Sequence, residues 1–542
     1  MMLLYLFVPS VLVLILAYRF YGDFLSRKYD LNDENPTPSH TLFDNVDYVP
    51  TNRYVLFGHH FSSIAGAGPI VGPVLGALMF GWGVPLAWIL LGSIFIGGVH
   101  DFSSIIASIR HKGRSIAEIV KLYVGKNAYI VFLLFTYLSL VYVLIAFADI
   151  TATIFEENGE VASVSIFYIL LAILFGLALY RLKFNLKLLT VVFVVLVFLC
   201  IYLGYSFPLS LPPIFLGSVK KSWCILLVGY MFVASVLPVW LLLQPRDYLS
   251  SFLLYTSVLI GFVGILFGNF KVGYPIFTSF AVNGQSIFPM LFVTIACGAI
   301  SGFHSLVSSG TSSKQIDKES DARLVGYGGM LTEGAVALIA LSTVIMLPKS
   351  AGTLAGASMN VFAQGIGRFL NVIGVPQRTG EIYGFLLLSA FVLTTLDTAT
   401  RIARYTLQEL LGWETKRTRF VATAITIVLP LLLLLVDIRD ASGKVIPAYK
   451  AIWAVFGASN QLLAALVLLT ISVWLASMKK KNLFTIIPTA FMLAVTVSAL
   501  AQLIFAYRFN LIGIIAIVLF LLAVYLLITS LNALRRLSRD KK

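Results

Sequence analysis

Apolar segments long enough to cross a lipid bilayer recur along the whole chain. Fifteen segments of roughly 18 or more mostly apolar residues lie between short polar connections. They are 3–20, 55–79, 84–109, 127–155, 162–180, 188–207, 223–243, 252–269, 287–311, 330–347, 382–411, 420–436, 452–476, 484–506 and 511–532. Inside hydrocarbon every backbone N–H and C=O must be bonded within the protein, which favours an α-helix in each segment. The sequence therefore predicts an all-α polytopic membrane protein with about 15 transmembrane helices.

Charged residues are scarce and unevenly distributed. They make up 12% of the 542 residues, against 59% hydrophobic residues, whereas soluble proteins are about a quarter charged. If the connections alternate between two sides, most of the 39 Lys and Arg residues fall on the side of the C-terminus. The positive-inside rule then predicts an N-terminus outside and a C-terminus inside. The net charge of +15 is explained by this orientation and by anionic lipid, so no nucleic-acid partner is expected.

Two glycine- and serine-rich stretches interrupt apolar segments, and the first also contains prolines. It covers residues 62–73 and includes Gly66, Gly68, Pro69, Gly72 and Pro73. Proline removes a backbone donor, and glycine tolerates unwound backbone. Two prolines four residues apart favour a discontinuous helix facing a ligand over simple close packing of small residues. The predicted substrate contacts in this stretch are Ser62, Ser63, Gly66 and Gly68.

The second stretch, residues 298–313, has no proline and is dense in hydroxyl groups. Carbonyl and hydroxyl oxygens suit a small cation, and hydroxyl donors suit a substrate carboxylate. Serines bonded to the carbonyls of their own helix would give the same pattern. Ser308, Ser309 and Thr311 are the predicted substrate contacts here. A third candidate is the stretch 235–248, where two prolines bracket a segment that ends in a charge pair.

Ionisable side chains within apolar segments are expensive to bury and are usually functional. The candidates for ion coupling are His59, His60, Asp101, His304 and Asp397. Histidine titrates near physiological pH, and buried carboxylates can be shifted toward that range. For His59 or His60 alone, a structural role fits equally well.

The two candidate carboxylates have a simpler interpretation. Asp101 precedes Arg110 at the inner end of its segment, which would allow an ion pair at the mouth of the protein. Asp397 likewise precedes Arg401 and Arg404. Either carboxylate would then stabilise a helix end and carry no ion.

Motifs for metals, cofactors and enzymatic chemistry are absent from the sequence. The three cysteines, Cys200, Cys224 and Cys297, lie far apart, so no disulfide framework or cysteine metal site is expected. A zinc ion shared by His59, His60 and His304 would have too few ligands at a recognisable spacing. No G-x-x-x-x-G-K-[ST], H-E-x-x-H or G-x-S-x-G motif occurs. We therefore expect no cofactor, no metal and no enzymatic activity.

An internal repeat is also predicted. Residues 58–63 resemble residues 302–305, and seven segments begin at each copy. An odd number of spans gives the copies opposite orientations, and inverted repeats with interrupted helices are typical of secondary transporters; chance recurrence of small residues is the alternative. The expected organisation is an N-terminal helix and inner loop (1–54), a transport core (55–465) and C-terminal helices with a basic tail (466–542). The repeats would span about 55–269 and about 287–532, and a short helix is expected at 357–370 in the outer connection.

Several longer motifs carry a resemblance to a known family. They are TNRYVLFGHHF (51–61), IAGAGP (64–69), GPVL (72–75), LPVWLLLQPRDYL (237–249), SSGTSSKQ (308–315), DTATRIARY (397–405) and GASNQLLA (457–464). Together they closely resemble the signature of the carbon starvation protein A (CstA) family. The resemblance implies a LeuT-like, inverted-repeat carrier of the amino acid–polyamine–organocation (APC) superfamily in the inner membrane. It further implies proton-driven uptake of peptides or pyruvate during carbon starvation.

The function that these observations predict is secondary active transport of a small organic solute by alternating access. The ends of the interrupted helices would hold the solute's carboxylate or a coupling ion near the membrane midplane. Arg401 or Arg53 would line the inner exit for a carboxylate. A membrane nutrient sensor and a Na⁺-coupled carrier of another carboxylate are the alternatives. Substrate identity, proton against sodium coupling and the oligomeric state stay open at this point.

Overall fold

The computed structural model describes residues 1–44, 47–238, 240–282, 284–348, 358–413, 415, 417–438, 445–508 and 510–539. Its first helices are α1 (Leu4–Lys28), α2 (Pro38–Thr41), α3 (Arg53–Ile64), α4 (Gly68–Phe80), α5 (Gly83–Gly92), α6 (Gly98–Arg110), α7 (Ile116–Tyr123), α8 (Lys126–Glu157), α9 (Gly159–Gly176), α10 (Leu186–Ser206) and α11 (Val219–Val236). These are followed by α12 (Leu243–Phe267), α13 (Ile287–Thr294), α14 (Ala296–Ala299), α15 (Phe303–Gly310), α16 (Gly329–Ile345), α17 (Ser358–Asn371), α18 (Gln377–Leu411), α19 (Thr418–Leu435), α20 (Ala448–Ser477), α21 (Leu483–Tyr507) and α22 (Leu511–Arg539). Short π-helical turns continue α5 into α6 (Ser93–Gly97), extend α9 (Leu177–Arg181) and precede α16 (Arg323–Gly328). A small antiparallel hairpin pairs β1 (Ala281–Val282) with β2 (Gln285–Ser286).

The predicted all-α polytopic membrane fold with discontinuous helices is confirmed. Within the described residues, thirteen helices are long and apolar enough to cross a membrane. Helices α3 and α4 together form a fourteenth span, bent by 49° at the residues between them. The remaining predicted segment, 287–311, is not one helix, because it is divided into α13, α14 and α15. The division at residues 300–302 lies within the predicted second stretch (298–313), whereas the division at Ile295 was not predicted.

A few helices form the interior of the molecule. Helices α16, α18 and α20 are almost wholly buried, whereas α1, α10 and α22 expose most of their apolar surface. The long helices α8 and α18 pack along each other, and α20 packs against α8. Such helices, apolar on all sides and buried, are surrounded by other helices, while the peripheral ones face lipid. The interrupted helices α3/α4 and α13–α15 pack into this interior.

Ion pairs join parts of the chain that the predicted alternation of connections places on the same side of the bundle. Lys480–Asp30 (2.7 Å) and Arg110–Glu319 (3.1 Å) lie on the side of the C-terminus, while Lys220–Asp149 (2.8 Å) and Arg378–Glu160 (2.9 Å) lie on the opposite side. The hydrogen bond from Lys480 lowers the pKa of Asp30. This grouping matches the predicted alternation of connections.

The expected short helix in the connection before α18 is present as α17. Residue 357, its expected first residue, lies outside the described part of the chain. The helix packs against α12, α16 and α18, and Phe362, Ile366 and Phe369 on its inner face are buried. The proposed domain and repeat boundaries stay predictions.

Candidate functional site

The first interruption lies between α3 and α4, within the predicted stretch 62–73 but shorter than it, since Pro73 lies inside α4. Helix α3 ends at Ile64, where Ala65 turns away from helical geometry (φ −76°, ψ 82°). Helix α4 begins at Gly68, and Pro69 lies in its first turn, where a missing N–H leaves no helical hydrogen bond unmade. In this described stretch the carbonyl of Gly66 accepts no backbone hydrogen bond. The break therefore leaves polar backbone available inside the bundle.

Glycines in α4 and in the break allow other helices to approach closely. A Cβ at Gly66 would lie 2.9 Å from both Phe147 of α8 and Thr395 of α18. A Cβ at Gly72 would lie 2.6 Å from the carbonyl oxygen of Thr294 at the end of α13. Gly68 lies against the side chain of Cys297 in α14. The two interrupted segments are therefore direct neighbours.

The second interruption is shorter than the sequence suggested. Residues 300–302 are non-helical, and Ile300 is extended (φ −164°, ψ 139°), but residues 303–310 form α15. Asn460 of α20 stabilises the start of α15, because its side-chain oxygen accepts the N–H of Phe303 (3.0 Å). Its amide also donates to Ser301 (3.0 Å). Asn460 belongs to the motif GASNQLLA, which the sequence singled out without a role.

The candidate hydroxyls of the first segment lie in the last turns of α3. Ser62 and Ser63 donate to the carbonyl of His59 (3.2 and 2.9 Å). Ser63 also lies 3.4 Å from the carboxylate of Asp247. The hydroxyl of Ser63 therefore connects the first break to a charged group on α12.

The candidate hydroxyls of the second segment lie at the C-terminal end of α15, below the break. Ser309 donates to the carbonyl of Ser305 (2.7 Å) and Thr311 to that of Val307 (2.9 Å). These hydroxyls therefore bond to carbonyls of their own helix, which was the alternative to a ligand site. The hydroxyl of Ser308 is buried and has no hydrogen-bond partner among the described residues. The role of these three residues in substrate binding stays a prediction.

A chain of four buried ionisable side chains connects three elements near the second break. We call His100, Asp101, His304 and Glu333 the histidine–carboxylate cluster. Asp101 lies 2.7 Å from His100 and 2.7 Å from His304, one contact to each carboxylate oxygen. The other ring nitrogen of His304 lies 3.2 Å from Glu333 of α16, without the alignment of a hydrogen bond. The side chains of all four residues are fully buried.

Asp101 does not pair with Arg110, so the simpler interpretation of this carboxylate is wrong. Arg110 pairs instead with Glu319 (3.1 Å), because Asp101 lies more than two helical turns deeper and faces His304. The structure therefore brings together two of the predicted ion-coupling residues, Asp101 and His304.

The remaining candidate histidines have separate partners. His60 lies 2.7 Å from the hydroxyl of Ser312, and its other ring nitrogen is buried with no partner among the residues that the structure describes. His59 lies 3.5 Å from Asp247. In the described part of the chain no three His, Cys, Asp or Glu residues are placed to hold a metal ion.

A second buried ionic group surrounds Arg246 in the first turn of α12. We call Arg246, Asp247, Tyr230 and Asp397 the arginine–carboxylate cluster. Arg246 forms an ion pair with Asp397, donates to the hydroxyl of Tyr230 (2.6 Å) and to that of Thr394 (3.0 Å). Tyr230 donates to Asp397 (2.7 Å).

Arg401 and Arg404, which were expected to pair with Asp397, have other hydrogen-bond partners. Arg401 donates to the carbonyls of Ala234 and Leu237 (2.9 and 2.8 Å), and Arg404 donates to a carbonyl of the same helix end. They cap the C-terminal end of α11, which carries partial negative charge. The prediction that they neutralise Asp397 is wrong, because Arg246 from α12 already does so.

Sequence reasoning missed Glu333 and His100 and did not assign roles to Arg246, Asp247 or Tyr230. Glu333 is an acidic residue inside an apolar segment, which was a sufficient signal by itself. His100 adjoins Asp101 and carried the same signal. The partners of Arg246 come from α11 and α18, so only the folded chain brings them together.

Comparison with known proteins gives the same assignment along nearly the whole chain. The family model described as "Carbon starvation protein CstA" matches residues 2–358 and 349–499. The chain belongs to the carbon starvation protein CstA family. The CstA-family chain is 34% identical to "Peptide transporter CstA" of Bacillus subtilis, over 90% of this chain and 88% of that protein. It is 32% identical to "Pyruvate/proton symporter BtsT" of Escherichia coli, over 93% of this chain and 82% of that protein.

A solved structure also resembles this CstA-family chain. The crystal structure of MhsT in complex with L-phenylalanine aligns with 88% of this chain and 99% of its own, at 15% identity and a TM-score of 0.49. The sequence relatives carry transporter names, and their alignments extend over both interrupted segments and both clusters.

Proposed function

We propose that this protein is a proton-coupled secondary transporter that takes up small organic solutes, peptides or pyruvate, across the cytoplasmic membrane. Its relatives are named as transporters of these two solute classes. The observation that supports coupling to protons is the position of His304 between two carboxylates from different helices. Uptake would serve the cell in carbon starvation, with the N-terminus outside and the C-terminus inside. We propose no enzymatic role.

The histidine–carboxylate cluster provides a place to hold one transferable proton. If Nδ1 of His304 donates to Asp101, its Nε2 faces Glu333 across 3.2 Å. A proton between these two atoms can reside on the imidazole or on the carboxyl group. Because the cluster is fully buried, adding or removing a proton there changes its charge without solvent to compensate, which favours a conformational response.

The interrupted helices provide the route by which such a response alters access. His304 lies in the first turn of α15, directly after the second break, and α14 contacts α4. A shift of α15 relative to α6 and α16 would therefore be transmitted to α4 and the first break. In secondary transporters, alternating access is largely the rocking or gating of one helix bundle against another around a fixed midplane site formed by discontinuous helices.

The test is uptake into proteoliposomes containing the purified protein. Labelled pyruvate and a labelled dipeptide are offered under a pH gradient, a Na⁺ gradient or no gradient. We expect accumulation of at least one solute under the pH gradient alone and its collapse with a protonophore. Accumulation under the Na⁺ gradient alone would replace proton with sodium coupling, and no accumulation under any gradient would refute transport.

The substitution His304→Gln tests the proposed proton site. Glutamine keeps polar atoms but cannot carry a transferable proton, so accumulation should be lost while exchange of solute down its own gradient persists. His40→Gln is the matched control, since His40 is exposed and pairs with Asp317 on the surface. Undiminished proton-driven accumulation by His304→Gln would contradict the role of this cluster.

A further inference from the structure

We propose that Arg246 is the residue that binds the carboxylate group of the transported solute, and that Asp397 forms an ion pair with Arg246 when no solute is bound. The inference rests on the proposed function and assigns its ligand site. A carboxylate is the chemical group shared by pyruvate and by the C-terminus of a peptide. The site is the arginine–carboxylate cluster, not the histidine–carboxylate cluster.

The guanidinium of Arg246 has unused binding capacity. Its Nη1 donates to Asp397 and Tyr230, and its Nη2 donates to Thr394 (3.0 Å) and to the carbonyl of Ala390 (3.4 Å). Its Nε is buried and has no hydrogen-bond partner among the described residues. Arginine binds carboxylates best through two parallel N–H groups. Nε is free for one of them, and Nη2 would supply the other by giving up its long contact with Ala390.

Asp397 is held incompletely by comparison with a purely structural ion pair. One of its oxygens accepts from Arg246 and Tyr230, while Oδ1 is buried and has no hydrogen-bond partner in the described part of the chain. A structural buried pair is stable when its remaining lone pairs and protons are also satisfied. An unsatisfied oxygen and an unsatisfied nitrogen within one ion pair fit a contact that is exchanged for another carboxylate.

The arginine adjoins the first break. Asp247, the next residue, lies 3.4 Å from Ser63, and Thr395, next to Thr394, faces Gly66. Arg246 also lies in the first turn of α12, where the positive end of the helix dipole adds to its charge. An anion held there would touch both α12 and the unwound backbone.

Two other arginines of this region, Arg401 and Arg404, also have an Nε without a partner among the described residues. Arg246 differs from them in its carboxylate partner, Asp397, whereas Arg401 and Arg404 donate to carbonyls at the end of α11. Arg246 and Asp397 are each about 1% exposed, so a ligand reaches them only when neighbouring helices move apart. Alternating access requires such a movement.

Three substitutions test the proposal by transport kinetics and by ligand-induced thermal stabilisation of the purified protein. The probes are pyruvate and alanylalanine, with methyl pyruvate and alanylalanine amide as counterparts without a free carboxylate. Arg246→Gln and Arg246→Lys should each raise KM at least about tenfold, since a charge-assisted bidentate contact is lost. Asp397→Asn should lower KM and enlarge the thermal shift, because the internal competitor has lost its charge.

Opposite changes in KM on replacing Arg246 and Asp397 distinguish a ligand site from a structural ion pair. In a structural ion pair, replacing either residue would destabilise the protein in the same way. Arg404→Gln is the control and should leave KM unchanged. If KM changes for only one of the two probes, the site is supported and the probe that responds shows whether it binds a keto acid or the C-terminus of a peptide. Unchanged KM in Arg246→Gln, or equal binding of the ester and amide, would overturn the inference while leaving transport itself intact. A wild-type protein that transports neither solute would instead refute the proposed function.

Discussion

At the scale of single residues, Asp101 has the central position in the histidine–carboxylate cluster. Its two oxygens each contact one imidazole, whereas neither oxygen of Glu333 makes an aligned hydrogen bond with any described residue. Breaking a buried charged contact costs about 3–5 kcal/mol. We expect Asp101→Asn to lower the free energy of unfolding by an amount of this order, and Glu333→Gln by less than about 1 kcal/mol.

The measurement for this pair is denaturant or thermal unfolding of both variants in the same detergent. Equal destabilisation by the two substitutions would show that Glu333 is also part of the structural framework. If instead Glu333→Gln is stable but fails to accumulate solute, the carboxylate serves proton transfer and not folding.

His111, which follows α6 at the membrane surface, makes stability depend on pH. Its ring contacts the carbonyl of Ala107 (2.6 Å) and the hydroxyl of Tyr123 (2.9 Å) and packs against Trp474. Burial lowers the pKa of His111 below its usual 6.5, so the unfolded chain takes up the proton more readily. Its contribution to stability is therefore complete above pH 6.5 and declines as the pH falls below that value.

We expect the stability difference between the wild type and His111→Phe to shrink as the pH falls from 8 to 5. Phenylalanine keeps the aromatic contacts with Trp474 but does not titrate. Thermal midpoints in detergent across this range measure the effect, and a difference that is constant or grows toward low pH would contradict it.

At the scale of helices, the close approach of α4 to α13 depends on Gly72. A Cβ there would meet a backbone oxygen of Thr294 at 2.6 Å and the Cα of Ile295 at 3.1 Å, so a backbone segment would have to move. At Gly76, one turn further, a Cβ would lie 2.8 and 2.9 Å from Cδ1 and Cγ1 of Ile295, so it would press on side-chain atoms and not on backbone. Overpacking against rigid neighbours costs about 1–3 kcal/mol.

Gly72→Ala should therefore destabilise the protein by about 1–3 kcal/mol and slow transport, since the two interrupted segments meet at this point. Gly76→Ala should be close to neutral, because the higher helix propensity of alanine offsets a small rearrangement. Unfolding and uptake assays of the two variants in parallel decide the matter. A Gly76→Ala variant as impaired as Gly72→Ala would show that backbone proximity is not the determining factor.

The interrupted elements also mark how far local sequence information extends. Residues 62–73 were predicted to break a helix because proline and glycine act on their own backbone. The second break was placed too broadly, since hydroxyl-rich sequence fits a helix with back-bonded serines as well as an unwound segment. Its actual position depends on Asn460, which is remote in sequence and accepts the N–H of Phe303.

At the scale of the whole molecule, the order of the spans follows from apolar length, a property that every segment carries by itself. The exception is segment 287–311, which is divided into three short helices. The two clusters do not follow in the same way. Asp101 and His304 were recognised as separate candidates, yet their contact requires α6 and α15 to pack together. Arg246 and Asp397 lie 151 positions apart, and the nearer arginines of α18 offered a plausible but incorrect pairing.

The orientation of the molecule decides which side supplies the proton, and it can be tested directly because the three native cysteines are buried. Glu34 is exposed in the connection after α1, and Glu156 is exposed at the C-terminal end of α8, on the other side of the bundle. With the N-terminus outside, a membrane-impermeant maleimide should label Glu156→Cys in intact cells and Glu34→Cys only after permeabilisation. Wild-type protein should stay unlabelled in both conditions. The reverse labelling pattern would show that the topology is inverted. Protons driven into the cell would then reach the histidine–carboxylate cluster from the face on which Arg110 and Glu319 pair.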